Sequence, residues 1–201
     1  MPDESKAVRA PVLALQGSPR RGGNTDLLLD ETLTVLTEKR VVSEKVVLRD
    51  LKISPCLEIY ACLKDGQCAI KDDMIELYDK LNAARVLIVA SPIFFYGPSA
   101  QLKAVIDRCQ AMWSRKYRLN WKTDQPPGRG YVISASATLG KKVFDGLLLT
   151  VKYFFDVLNL EFGGQVLVRG VDLAGEVFDK PEALSQAREL GGTAVEFINR
   201  E

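Results

Sequence analysis

Histidine is absent from all 201 residues. That absence removes Ser-His-Asp and Cys-His nucleophilic chemistry, histidine-based zinc sites and imidazole acid–base catalysis together. Any catalysis must draw on carboxylates, lysine, tyrosine, cysteine or backbone dipoles, or on a cofactor that brings its own reactive atoms, and the last fits best. Net charge is nearly absent too. The formal value of +1 and a pI near 7.6 supply no field that would gather nucleic acid or an acidic membrane, so no nucleic-acid partner is expected. Long apolar runs are missing: the longest, Val86 to Ala90, is far too short to span a bilayer. Met1 to Ala10 is charged and lacks a signal-like apolar core, so a cytoplasmic location is expected. The four cysteines are Cys56, Cys62, Cys68 and Cys109. Three of them crowd one loop, which suggests reduced thiols or metal ligands before disulfides.

What is present is ordinary globular material, 47% hydrophobic and 26% charged, with no repeat and no linker long enough to divide it. We expect one domain over residues 1–201, with about 1–10 as a flexible N-terminus. Short apolar runs alternate with longer helical patterns, the signature of a parallel sheet with crossover helices. Strands are predicted at Val12–Gln16, Lys45–Leu48, Val86–Ala90, Tyr131–Ala135 and about Gly164–Val168. Helices are predicted from about Asp26, over Met74–Asn82 (with Asp72 or Asp73 as N-cap), from Ser99 or Ala100 to about Trp113, over about Lys141–Leu158, and over Lys180–Asn199 with Pro181 in its first turn. Ser114 to Gly130 reads as an irregular loop. Five strands of this kind commonly take the order 2-1-3-4-5, which puts a ligand crevice at the carboxyl ends of strands one and three.

The loops at those ends are unusual. Gly17-Ser18-Pro19-Arg20-Arg21-Gly22-Gly23-Asn24-Thr25 joins a buried strand to a helix N-terminus, where free N–H groups and the helix dipole favour an anion. Glycines allow close wrapping of a phosphate. Ser18, Asn24 and Thr25 add short donors, and Arg20 adds a charged fork. The loop has neither the Gly-Lys-Ser/Thr ending of a P-loop nor a GxGxxG fingerprint. An ordinary turn with Thr25 as N-cap is the plainer alternative. After strand three comes Ser91-Pro92-Ile93-Phe94-Phe95-Tyr96-Gly97-Pro98-Ser99, whose apolar side chains and free backbone groups suit a flat, largely apolar ring; the alternative is core packing of its aromatics. After strand four, Ser134 to Gly140 offers small residues and hydroxyls, a weaker signal.

Together, GSPRRGGNT, SPIFFYGPSAQLKAVIDR and ATLGKKVFDG resemble the NADPH-dependent FMN reductase-like family of the flavodoxin-like superfamily, over nearly the whole chain. The resemblance implies an α/β, flavodoxin-like three-layer sandwich with a five-stranded parallel sheet in order 2-1-3-4-5. It implies FMN as cofactor and NAD(P)H as co-substrate. It also implies phosphate binding by Ser18, Arg20, Asn24 and Thr25, ring contacts from Pro92, Ile93, Phe94 and Phe95, and further contacts from Ser134, Ser136, Thr138 and Gly140. A homodimer or homotetramer is implied as well. The expected activity is oxidoreduction, in which NAD(P)H reduces bound flavin and the flavin then reduces a quinone, a nitro- or azo-aromatic, free flavin or a metal acceptor. No residue stands out as a general acid. The rival reading is an electron-transfer flavoprotein, of flavodoxin or iron–sulfur type, without nicotinamide activity.

The segment from Pro55 to Cys68 is similar to the iron–sulfur branch of this family, which carries Cys-x2-Cys-x2-Cys before a fourth cysteine. Here Ile59 occupies the second position, and Ile cannot coordinate iron, so a four-iron cluster is not expected and no metal ligand is assigned. A vestigial loop is the favoured reading, with a redox or regulatory thiol role as alternative. Cys109, near Val105, Ile106 and Met112, reads as a packing residue. Arg21, Lys141 and Lys142 read as solvated charges first and nicotinamide-phosphate ligands second. Trp113, Tyr117 and Trp121 read equally as packing residues or as the lining of an oligomer interface or flavin cap.

Overall fold

A computed structural model describes residues 11–200; the flexible stretch expected at 1–10 lies outside the described residues. The elements run β1 (Val12–Gln16), α1 (Asn24–Glu38), β2 (Ser43–Val47), α2 (Cys62–Asp65), α3 (Met74–Ala83), β3 (Val86–Pro92), α4 (Ala100–Arg108), α5 (Gln110–Trp113), β4 (Gly128–Ser136), α6 (Asp145–Val157), β5 (Leu160–Arg169) and α7 (Pro181–Asn199). The strands are all parallel in the order β2-β1-β3-β4-β5, as expected.

Alternation along the central strands divides the core into two layers. Leu13, Leu15, Leu87, Val89 and Val132 face α3, α4 and α6, against Met74, Leu77, Leu102, Val105, Leu147 and Phe154. Val12, Ala14, Val86, Ile88 and Ile133 face α1 and α7, against Leu28, Leu29, Leu36, Ala187 and Leu190. Cys109 is buried in the first layer, and burial pushes its thiol well above the ordinary range.

Several boundaries differ from the sequence reading. β4 starts at Gly128, not Tyr131, and its early residues carry no apolar signal because Gly130 has no room for one: a β-carbon there would stand 2.4 Å from the Phe155 ring. β5 starts at Leu160, and its register shifts opposite Gly130 and Tyr131, so that Gly163 is skipped in the pairing. α6 starts at Asp145 rather than Lys141, the helix expected to reach about Trp113 does so but breaks at Cys109 into α4 and α5, and Ser114–Arg118 forms one π-helical turn inside the segment read as irregular. No helix among the described residues is long and apolar enough to cross a membrane.

Candidate functional site

The loop leaving β1 is tied down at both ends. Gly17 N–H donates to Ala90 O at 2.7 Å and Ser99 Oγ donates to Gly17 O, which draws the loop against the end of β3. A side chain at Gly17 would press on Ala90 O (3.0 Å) and Leu102 (3.1 Å), so the approach needs glycine. Within the loop, Arg20 N–H donates to Ser18 Oγ (3.0 Å) and Gln16 Nε2 to Arg20 O (3.4 Å). Gly22 turns the chain at φ +63° and donates to Asp26 Oδ2 at 2.8 Å. Lys45 pairs with Asp26 at 2.6 Å. Partial burial works against the charge of Lys45, but its bonds to Asp26 and Asp30 outweigh that and raise its pKa.

The N-cap of α1 is Gly23, which has no side chain to bond the first turn. The N–H groups of Asn24 and Thr25 therefore have no intrahelical acceptor and are available, with the helix dipole, to an anion. The Asn24 side chain is engaged elsewhere. Its Nδ2 donates to Leu173 O (2.9 Å) and its Oδ1 accepts from Val177 N–H (3.2 Å), pinning the segment after β5 against α1. Arg20 is exposed at the mouth and donates to Asp172 O at 2.7 Å.

The loop leaving β3 closes into a two-residue turn. Phe94 and Gly97 exchange both N–H···O bonds at 3.0 Å, and the central residues Phe95 (φ 48°) and Tyr96 (φ 64°) are both left-handed. Such turns favour Asn and Gly; bulky residues there carry a cost of about 1 kcal/mol or more each. The start of α6 backs the turn, since a side chain at Gly146 would collide with Tyr96 O at 2.4 Å.

The two loops and the end of β4 enclose a cleft of about 140 Å³. Of the residues singled out in the sequence, Ser18, Arg20, Asn24, Thr25, Pro92, Ile93 and Phe94 line it. Phe95 does not; it is fully exposed. Ser134 is buried and donates to Ser91 O (2.7 Å), while Ser136 Oγ accepts from Thr138 N–H (3.2 Å). Neither hydroxyl residue lines the cleft, nor do Thr138 and Gly140; the intervening Ala135 and Ala137 do. Strand alternation carries that signal, since successive residues face opposite sides. Val171 and Asp172 also line the cleft and were not singled out. They follow β5, where nothing local in the sequence marks them.

A larger cavity of about 990 Å³ lies at the amino ends of β3, β4 and β5, the end away from the crevice. Three of the four cations that line it have partners within the protein: Arg115 donates to Gly66 O (2.7 Å) and lies over the Trp121 ring, Lys116 bonds Asp156, and Arg85 donates to Pro126 O (2.7 Å), which leaves Lys122. It therefore makes a poorer candidate than the smaller cleft.

The cysteine loop is clasped at its neck by Arg108, whose side chain is wholly buried. The guanidinium donates to Asp72 Oδ2 (2.7 Å) and Oδ1 (3.1 Å), to Ser54 O (3.0 Å) before the cysteines and to Ile70 O (3.2 Å) after them. Burial works against the Asp72 carboxylate, but Arg108 and the N–H groups of Ser54 and Met74 hold its pKa below the usual range. Cys62 is raised, chiefly by burial and then by the neighbouring Cys68 and Cys56. Among the described residues no group of three or more His, Cys, Asp or Glu could hold a metal ion, and Ile59 stands 56% exposed. These residues do not fit a four-thiolate cluster.

The family description that matches residues 10–140 is NADPH-dependent FMN reductase. An iron–sulfur flavoprotein of Archaeoglobus fulgidus is 42% identical over 106 residues, 53% of this chain and 54% of that protein. The chain spans roughly half to two-thirds of the length of the iron–sulfur flavoproteins it matches. A Bacillus subtilis protein assigned as an NAD(P)H-dependent FMN-containing oxidoreductase is 27% identical over 183 residues, 89% of this chain and 95% of that one. The solved NAD(P)H:quinone oxidoreductase of Methanothermobacter marburgensis superposes with a TM-score of 0.66 at 16% identity, over 90% of this chain and 96% of that one, a likeness of fold.

Proposed function

The chain belongs to the NADPH-dependent FMN reductase family, whose members bind FMN and use NAD(P)H, and on that footing we propose that it is an oxidoreductase holding FMN in the cleft between the β1 and β3 loops. The observation that carries the reading is the meeting of an uncapped helix N-terminus with an apolar shelf. The first-turn N–H groups of α1, with Ser18, Arg20 and Thr25, suit a phosphate, and Pro92, Ile93, Phe94, Ala135 and Ala137 suit a flat ring. Phe95 is assigned to the open side of that shelf, and Ser134, Ser136, Thr138 and Gly140 to its support rather than to direct contact. An enclosed volume of about 140 Å³ is small beside the roughly 300–1,000 Å³ of ligand pockets, so a planar ligand lies partly in the open, where a second ring can reach it.

FMN held there would supply the redox chemistry between NAD(P)H and an acceptor such as a quinone, a nitro- or azo-aromatic, free flavin or a metal. The protein's part is to orient both ligands and to supply backbone donors, and none of this needs histidine. The exposed aromatics Phe95, Tyr96, Trp113 and Tyr117 support self-association into a dimer or tetramer.

The test is reconstitution of purified protein with FMN, followed by NADPH and NADH oxidation with quinone and free-flavin acceptors. A yellow protein that turns over is expected. A yellow protein that oxidises neither nicotinamide leaves an electron-transfer flavoprotein, and a colourless one that takes up no FMN overturns both readings.

A further inference from the structure

We propose that Gln16, the last residue of β1, is a positioning residue for the flavin phosphate: its buried amide holds the Arg20 carbonyl behind the loop and keeps it off the anion. The inference rests on the FMN reading of the cleft and concerns the same site.

β1 ends on a polar residue where its pattern calls for an apolar one. Val12 and Ala14 face the layer of α1 and α7, and strand alternation puts Gln16 on that side too. Its neighbours in the sheet are Val47 and Ala90. Gln16 is wholly buried and does not line the cleft. Its Nε2 donates to Arg20 O at 3.4 Å, while its Oε1 has no hydrogen-bond partner among the described residues. Two other buried side-chain atoms share that lack. Asp26 Oδ1 meets Lys45 as an ion pair, and Arg108 Nε belongs to a guanidinium bonded through its other nitrogens. Gln16 Oε1 has no such compensation. A buried acceptor left unpaired is costly, and an apolar side chain of the same length would fill the space without that cost. What an apolar side chain could not do is donate to Arg20 O.

That bond acts where the sign of a dipole matters. The Arg20 N–H donates to Ser18 Oγ (3.0 Å), so both backbone groups of Arg20 are tied by side chains that precede it. Gly22, at φ +63°, turns the chain so that Gly23 comes back against Arg20 O, and a β-carbon on Gly23 would stand 3.3 Å from it. The oxygen thus lies between the Gln16 amide and the N-cap of α1. It accepts no other hydrogen bond among the described residues. Without Gln16 the carbonyl could turn into the cleft that Arg20 lines and set its negative end against a phosphate. With the carbonyl held back, the groups left for the anion are the Ser18 hydroxyl proton, the first-turn N–H groups of α1 and the Arg20 guanidinium. At 3.4 Å the bond is long, so it steers the peptide more than it locks it.

The test compares FMN with riboflavin, which share the ring and differ in the phosphate. Both are titrated onto the wild type and onto Gln16→Met, whose side chain has the same length and no donor. Fluorescence quenching gives the dissociation constants, and urea unfolding gives the stability. The wild type is expected to hold FMN more tightly than riboflavin. Gln16→Met should weaken FMN about tenfold, the scale of one hydrogen bond, with riboflavin affinity unchanged and the urea midpoint kept or raised. Equal FMN binding by the two proteins overturns the inference and leaves the FMN reading standing. So does an equal loss for both flavins, which would mark a merely structural role. A wild type that binds no FMN takes down both. Should the variant fail to fold, the Gln16 side-chain amide is followed by nitrogen-15 NMR in the wild type. Its resonances should move with FMN and with inorganic phosphate but not with riboflavin, and resonances that respond to neither phosphate overturn the inference.

Discussion

Gly191 of α7 lies directly against Thr32 of α1: a β-carbon on Gly191 would stand 2.6 Å from Thr32 O and 3.0 Å from Val35 Cβ. Thr32 completes the contact by sharing its hydroxyl proton between Leu28 O (3.0 Å) and Ala187 O (2.9 Å) across the two helices. Glycine within a helix is ordinarily a defect, and replacing it with alanine stabilises by about 0.5–1 kcal/mol. At Gly191 the sign reverses, because the added methyl meets backbone and must push the helices apart, a strain of about 1–3 kcal/mol. Gly192, next in the same helix, has open space around it and is the internal control. Gly192→Ala should raise the urea midpoint and Gly191→Ala should lower it. Equal shifts in the two variants would show that the helices are not in close contact there.

The pair Arg108–Asp72 sets an acid limit. The Asp72 carboxyl has a lower pKa folded than unfolded, so its contribution is present above the unfolded value of about 3.9 and is lost as pH falls through the folded one. Asp72→Asn leaves a buried guanidinium without its counter-charge and should cost about 3–5 kcal/mol at neutral pH. The variant should also show a shallower loss of stability between about pH 5 and pH 2 than the parent. Guanidinium titrations of both proteins across that range provide the check. Parallel pH profiles would mean that Asp72 is not titrating in this window.

Phosphate holding can be tested at Arg20. Arg20→Ala should raise the FMN dissociation constant about tenfold, the lower end for a charge-assisted bond, because the side chain is exposed and screened. Fluorescence quenching on titration with FMN measures it. A dissociation constant equal to the parent's would assign Arg20 only to its bond with Asp172 O.

The aromatic turn holds two bulky residues in the left-handed region, one of which, Phe95, touches solvent all round. Phe95→Asn substitutes a residue that tolerates the same backbone and should stabilise the protein by about 0.5–1 kcal/mol. If the ring serves the shelf, the same variant should bind FMN less tightly or oxidise NAD(P)H more slowly. Thermal denaturation read beside flavin affinity separates the two effects, and a destabilised Asn variant would show that the phenyl ring packs against something in solution.

The sheet order was readable because β1 and β3 are apolar on both faces and each is followed by a loop too unusual for a plain turn. Ser99 was readable as a helix start, and its Oγ accepts from Leu102 N–H at 3.2 Å. The start of β4 was not, because Gly128 and Gly130 are kept small by Arg85 O and the Phe155 ring, contacts that arise only after folding. The same holds for Asn24. Its amide looks like a ligand in the sequence, and only the arrival of residues 173–177 from the far end of the chain shows what it bonds. Residue type announced donors; tertiary contact decided which of them face the cleft.

The clasp formed by Arg108 has a consequence for how such a chain can change. Because Ser54, Ile70 and Asp72 are gathered at one buried point, the stretch between them leaves and rejoins the body of the protein at a single place. Within it, Cys62 and Cys68 pack against the core and Ser114 and Arg115 bond Cys62 O and Gly66 O, so those positions are tied to the rest of the molecule. Ile59 stands outside all of these ties, so a change at that position can alter the loop's chemistry while the clasp and the fold behind it keep their shape.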